Sequence, residues 1–237
     1  MKNLKSLAIS LSLAMLVSCS TNTGTGSLLG AGGGAVLGGV LGAVIGKDAK
    51  GAAIGAAIGG AVGAGTGALI GKHMDNVKAK AAAELENAKV EEITDANGLK
   101  AVKVTFDSGL LFSTGSATLA NKSKADLTDF ATLLKNDADL AVDVQGYTDN
   151  QGWKNSTAAQ SAQKNLELSQ KRAESVKNYL TAQGVNSYQF NNVTGYGEAN
   201  PVADNSTAAG KQENRRVEIY LYASEKMIEK ANNGQLN

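Results

Sequence analysis

Cysteine and histidine each occur once in this 237-residue chain, as Cys19 and His73. A single cysteine excludes an internal disulfide. It also leaves every residue beyond position 19 without a thiol nucleophile. His73 has no second histidine and no cysteine near it in sequence, so neither a metal site nor a catalytic imidazole is expected, and no cofactor is implied. Charge is nearly balanced at a formal net +1, which removes the electrostatic case for a nucleic-acid partner. Asp137 and Asp139 form a close carboxylate pair in sequence. They fall in an expected surface turn, where they read as solvated side chains rather than as a hydrolytic acid and base. The chain is not expected to be an enzyme.

What is present begins with an address. Residues 1–18 read as a secretory signal, with Lys2 and Lys5 as the basic region and Leu7 to Val17 as the apolar one. That stretch is too short to cross a bilayer as a mature helix. Leu16-Val17-Ser18-Cys19 resembles a bacterial lipobox, which implies cleavage before Cys19 and acylation of its thiol. The competing reading is an unpaired cysteine in an ordinary secreted protein. One acyl chain holds a protein to a membrane only marginally, so several chains or a second anchor are expected. Residues 20–27 continue in Ser, Thr, Asn and Gly, so 19–27 reads as a flexible tether.

A glycine ladder follows over residues 28–72. Gly30, Gly34, Gly38, Gly42 and Gly46 recur every fourth residue, and the period resumes at Gly51, Gly55, Gly59, Gly63, Gly67 and Gly71. Positions four apart share a helix face, so each run predicts a helix with a side-chain-free stripe. In water each interior glycine costs roughly 0.5–1 kcal/mol relative to alanine. In lipid the stripe lets two backbones approach closely. The charged link Lys47-Asp48-Ala49-Lys50 suits an antiparallel hairpin. The segment resembles the glycine zippers of bacterial envelope lipoproteins. It is expected to act as a second membrane anchor, with a homo-oligomer or pore as the alternative and a flexible linker as the bland reading. Gly63-Ala64-Gly65-Thr66-Gly67 lacks the Lys-Ser/Thr ending of a phosphate loop.

Residues 73–98 are expected to be a spacer. Ala, Lys and Glu are strong helix formers, and Val77, Ala81, Leu85 and Ala88 recur at helical spacing. The pattern predicts a solvated helix. Residues 99–222 then read as one mixed domain. Val102, Val104 and Phe106 alternate as a strand, Leu127, Phe130 and Leu134 mark a helix over 118–136, and Leu140, Val142 and Val144 give a second strand. Ala173, Val176 and Leu180 mark a second helix, stopped at Gly184. Strands follow at 189–196 and around Val217, Ile219 and Leu221, leaving 223–237 as a tail. The order βαβαββ predicts an α+β fold with two helices packed on a mixed sheet.

Three motifs give the domain a family. Gly146-Tyr147-Thr148-Asp149, Ser169-Gln170-Lys171-Arg172-Ala173 and Asn214-Arg215-Arg216-Val217-Glu218-Ile219 occur in that order. Together they resemble the OmpA-like peptidoglycan-binding domain, in outer-membrane proteins and Pal-type lipoproteins. The resemblance implies the same fold, a periplasmic location and an outer-membrane lipid anchor at Cys19. The implied ligand is peptidoglycan, gripped at the D-centre of meso-diaminopimelate, an ammonium beside a carboxylate. Asp149 and Arg172 match the family's two principal ligand contacts. A carboxylate suits the ammonium and a guanidinium fork suits the carboxylate. Asn165 matches a family asparagine near the site, and Thr114 lies in the loop that borders the pocket. Of Arg215 and Arg216, one is expected at the ligand and the other in a structural role.

The residues alone leave other readings open. Asp149 fits a helix cap, and Arg172 fits an internal pair with an acid such as Glu198. Two departures from the family stand out. Tyr147 occupies a position where the family often has histidine, and an insert of about eight residues falls within Trp153 to Lys164. The insert is polar and helix-compatible, suited either to lengthening the helix backwards or to forming a rim. Trp153 is expected to staple it to the domain, the alternative being a contact with the ligand.

Overall fold

The computed structural model describes residues 62–95 and 98–236. The signal, Cys19, the tether and the ladder up to Gly59 lie outside the described residues.

The end of the ladder belongs to the globular domain. Gly63 is the extended N-cap of helix α1, Ala64–Glu84. Ile70, Met74, Val77 and Ala81 form one buried stripe along it. That stripe joins the main hydrophobic core, where each large apolar side chain contributes roughly 1.5–3 kcal/mol. The expectation of a solvated spacer over 73–98 is therefore corrected. The Ala/Lys/Glu composition does make a helix, but its apolar face is docked on the sheet. A Cβ on Gly67 would meet Leu99 Cδ2 at 3.8 Å, and one on Gly71 would meet Lys100 Cδ at 3.7 Å. The last two rungs of the ladder thus face the domain itself.

Strand β1, Ala88–Thr94, leaves this helix and pairs antiparallel with β2, Lys100–Asp107, with Val90 opposite Val104. The short helix α2, Ser108–Leu111, follows, and then α3, Lys124–Asn136. Strand β3, Leu140–Gly146, leads to the long helix α4, Ala158–Ala182. Gly184 closes that helix with φ +95°, as its position in the sequence predicts. Strand β4, Phe190–Gly195, helix α5, Ala208–Asn214, strand β5, Arg216–Ala223, and helix α6, Glu225–Asn232, complete the described chain.

The sheet runs β1-β2-β5-β3-β4. Only the β3/β4 pair is parallel. Its core face carries Val102, Val104 and Phe106 of β2, Val142 and Val144 of β3, and Val217, Ile219 and Leu221 of β5. Helices α1, α3, α4 and α6 cover that face. The predicted α+β class and βαβαββ order hold from β2 onward. Helix α5 is interposed before β5, and β1, α1 and α6 enlarge the domain at both ends. The expected tail over 223–237 is corrected as well, because Met227, Ile228 and Ala231 of α6 are buried.

The acids at 137 and 139 are not merely solvated. Asp137 Oδ2 lies 2.5 Å from His73 Nε2. Asp139 pairs with Lys226 and Lys230, so these contacts fasten α1 and α6 to the turn before β3. Burial pushes the Asp139 carboxyl up, but the two ammonium groups outweigh it and hold the pKa below the usual value.

Candidate functional site

A cleft of about 720 Å³ opens where β2 and β3 end and β5 begins. Three neighbouring backbones make its floor. Asp107 opposes Arg216 in the β2/β5 register, and the Ser108 N–H donates to the Arg215 carbonyl at 2.9 Å. On the other side Gly146 opposes Val217, and the Tyr147 N–H donates to the Arg216 carbonyl at 2.9 Å. Ser108, Arg215 and Thr148 are therefore adjacent in a row. Val217 faces the core, so Arg215, two residues earlier, shares its side of the sheet.

Helix α4 brings Arg172 over this floor, and Gly146 of the first motif and Gly195 at the end of β4 let it come close. A Cβ on Gly146 would lie 2.2 Å from the Ser169 carbonyl oxygen, and one on Gly195 would lie 2.2 Å from the Gln170 nitrogen. Both strands need glycine where the helix backbone rests on them. Ser169 Oγ accepts from the Gly197 N–H at 2.8 Å, and Gln170 Oε1 accepts from the Gly195 N–H at 2.6 Å. The Ser-Gln pair of the second motif thus pins the helix to β4 and fixes where Arg172 projects.

Arg172 is 3% exposed and has no carboxylate partner among the described residues. Its Nε donates to the Ser116 carbonyl at 3.0 Å, and the guanidinium lies 5.2 Å from the centre of the Phe112 ring. Its terminal nitrogens make no hydrogen bond to the protein among the described residues, and Arg172 lines the cleft. Burial, reinforced by the nearby Arg215 and opposed by Asp149, lowers its pKa to about 10. The group remains cationic at neutral pH. A buried cation with unused donors is a receptor for an anion.

Asp149 supplies the opposite charge. Its side chain is 10% exposed and pairs with Arg215, not with Arg172. Oδ1 also accepts from the Gln151 N–H at 3.1 Å. Asp149 is not a helix cap, because α4 begins at Ala158 behind a Thr157–Gln160 capping box. Glu198 does not pair with Arg172. It accepts from Asn165 Nδ2 at 3.4 Å.

The insert does two things. Its second half lengthens α4 backwards, and its first half forms a wall of the cleft. Trp153 Nε1 donates to Asn165 Oδ1 at 2.7 Å, and the Trp153 N–H donates to Ser161 Oγ at 3.0 Å. Trp153 is therefore the staple, and its ring also borders the cleft. Asn165 donates to the Gln151 carbonyl at 3.3 Å. It holds the loop that carries Asp149 while lining the cleft itself.

The structure brings together Asp149, Arg172, Asn165, Thr114 and Arg215. It does not bring Arg216 to them. Strand parity sends Arg216 to the opposite sheet face, where Nε donates to Glu218 Oε1 at 2.8 Å and the guanidinium stacks 3.8 Å from the centre of the Tyr147 ring. Tyr147 faces the same way, donating to Gln145 Oε1 at 2.7 Å. Gln212 was not foreseen. Its amide donates to Asp107 and accepts from Arg215, which extends the pair into a chain Asp107–Gln212–Arg215–Asp149. Ser108, Thr148 and Lys211 at the cleft were also missed. The alternation through Val217 was a usable signal for Arg215 over Arg216.

Known proteins resemble this chain over the domain that carries the cleft. The OmpA family profile matches residues 111–215, and the YMGG-like Gly-zipper profile matches residues 1–75. Probable lipoprotein YiaD of Escherichia coli strain K12 is 38% identical over 152 residues, 64% of this chain and 64% of its own. Peptidoglycan-binding protein ArfA of Mycobacterium tuberculosis strain H37Rv is 31% identical over 165 residues, covering 63% of this chain and 48% of its own. Each of these alignments spans less than two thirds of the curated relative's length. Among solved structures, the cell wall anchor of the T6SS from Pseudomonas aeruginosa is 28% identical. It covers 64% of this chain and 97% of its own, with a TM-score of 0.50.

Proposed function

We infer, for a chain whose residues 111–215 are an OmpA family domain, that it binds peptidoglycan non-covalently and catalyses no reaction on it. The observation that carries this reading is Arg172, a buried guanidinium with no acid paired to it among the described residues, lining one cleft with Asp149. The ligand it fits is an ammonium next to a carboxylate, the D-centre of meso-diaminopimelate. Asp149 takes the ammonium and Arg172 takes the carboxylate. Charge-assisted hydrogen bonds contribute roughly 1.5–3 kcal/mol each. After the costs of association, a few of them give a weak to moderate grip. The names of a peptidoglycan-binding relative and a cell wall anchor neighbour support the same partner.

The wider role proposed is a tether between the outer membrane and the wall. Its membrane end is the acylated Cys19 of the lipobox-like sequence, and the name of a lipoprotein relative supports that assignment. Anchoring concentrates the domain at the wall, so a weak grip suffices. Self-association through the zipper rests on glycines outside the described residues.

Co-sedimentation of the full chain with purified sacculi tests the reading. Wild type should pellet with sacculi and release no muropeptides, and Arg172→Met should stay in the supernatant. Equal pelleting of the two proteins, or release of muropeptides, would remove it.

A further inference from the structure

The cleft holds more positive charge than a D-centre uses. Lys154, Arg172, Lys211 and Arg215 line it, against the single carboxylate of Asp149. A D-centre is zwitterionic, so binding one offsets a cation and adds another. The surplus is unchanged.

A second observation lies on the floor. Ser108 Oγ and Thr148 Oγ1 are enclosed and have no hydrogen-bond partner among the described residues, and both residues line the cleft. Buried hydroxyls in folded proteins almost always pair, so an unpaired one calls for an explanation. These two flank Arg215, one just past the end of β2 and the other just past the end of β3. Arg215 itself is 32% exposed, so its side chain moves without disturbing the core.

A ligand ammonium on Asp149 competes with Arg215 for the same carboxylate and favours release of the guanidinium. The released guanidinium then stands over two hydroxyls that have spare donors. We propose that the ligand brings a second carboxylate, which the released Arg215 guanidinium binds above Ser108 and Thr148, with both hydroxyls donating to it. The ligand class is then a stem peptide with at least two free carboxylates for each free ammonium, rather than an isolated D-centre. This rests on the peptidoglycan reading. Two stem carboxylates have the required chemistry. One is the glutamyl α-carboxylate beside the γ-linkage, and the other is the terminal carboxylate of the alanine after diaminopimelate.

Calorimetry on the full chain separates these possibilities. The probes are the tetrapeptide L-alanyl-γ-D-glutamyl-meso-diaminopimelyl-D-alanine with a blocked N-terminus, its glutamyl α-amide and its terminal amide. At least one amide should bind about ten-fold more weakly than the parent, the loss expected for a charge-assisted contact. Arg215→Gln should erase that difference. The double variant Ser108→Ala, Thr148→Val should weaken parent binding without lowering the melting temperature, because neither hydroxyl has a partner to lose. If both amides bind like the parent, the second station is overturned while the Asp149–Arg172 site stands. If no peptide binds, both readings fall.

Discussion

Arg172 reaches the backbone carbonyl of Ser116 through its Nε at 3.0 Å. That bond aims the side chain and leaves its outer donors for something outside the protein. The carboxylate in the cleft is held by Arg215 instead. Burying a cation without an acid does not favour folding. Arg172→Met should therefore abolish wall binding while changing stability by no more than about 1 kcal/mol. Thermal melting beside co-sedimentation checks both halves.

Asp149 holds Arg215 and its own loop. Asp149→Asn should remove ligand binding and cost about 1–2 kcal/mol, because the carboxylate leaves a partly buried pair. Denaturant unfolding gives the second number. An unchanged affinity would show that the ammonium binds elsewhere.

Gly146 and Gly195 carry the close approach of α4. Alanine at either position drives a methyl into helix backbone at 2.2 Å, and backbone cannot step aside as a side chain can. Each substitution should destabilise by about 3 kcal/mol. Binding should weaken in parallel, because Arg172 rides on the displaced helix.

Gly71 behaves in the opposite way. It lies inside α1, and its added Cβ would make an ordinary contact with Lys100 at 3.7 Å. Gly71→Ala should stabilise the domain by roughly 0.5–1 kcal/mol through helix propensity. A loss of stability would mean that this rung packs more tightly than α1 shows.

Asp139 ties α6 to the sheet through Lys226 and Lys230. Its folded pKa is depressed. The contribution is thus present above the unfolded value and lost as pH falls through the folded one. Asp139→Asn should cost about 1 kcal/mol at neutral pH. The difference should start to shrink as pH falls below about 4, the unfolded carboxyl range, and vanish only below the lower folded value. Melting curves across pH 2–7 show whether it does.

Much of this was legible beforehand, and the reasons for the rest are physical. Alternation at Val102–Phe106 and Leu140–Val144 marked β2 and β3, because one face of each strand meets the core. Strand β1 was hidden. Its Lys-Val-Glu-Glu-Ile-Thr run does not alternate, and it holds its place as an edge strand by pairing with β2. The stripe Ile70, Met74, Val77, Ala81 was visible in part, but the charged residues around it read as solvent exposure when the sheet beneath was unknown. Helix α6 is short, and its apolar residues reach the core because β5 delivers them there. At the site, Asp149 and Arg172 came from motif resemblance. The pairing of Asp149 with Arg215, and the unpartnered hydroxyls of Ser108 and Thr148, arise where three strand ends meet. No local pattern encodes that meeting.

The most direct test of the account is a calorimetric titration of the full chain with meso-diaminopimelate and, separately, with its L,L-isomer. The two differ only in the D-centre that Asp149 and Arg172 are held to grip. The account predicts saturable binding of the meso compound, loss of that binding in both Asp149→Asn and Arg172→Met, and little or none for the L,L-isomer. Equal binding of the two isomers, or meso binding that survives both substitutions, would contradict it.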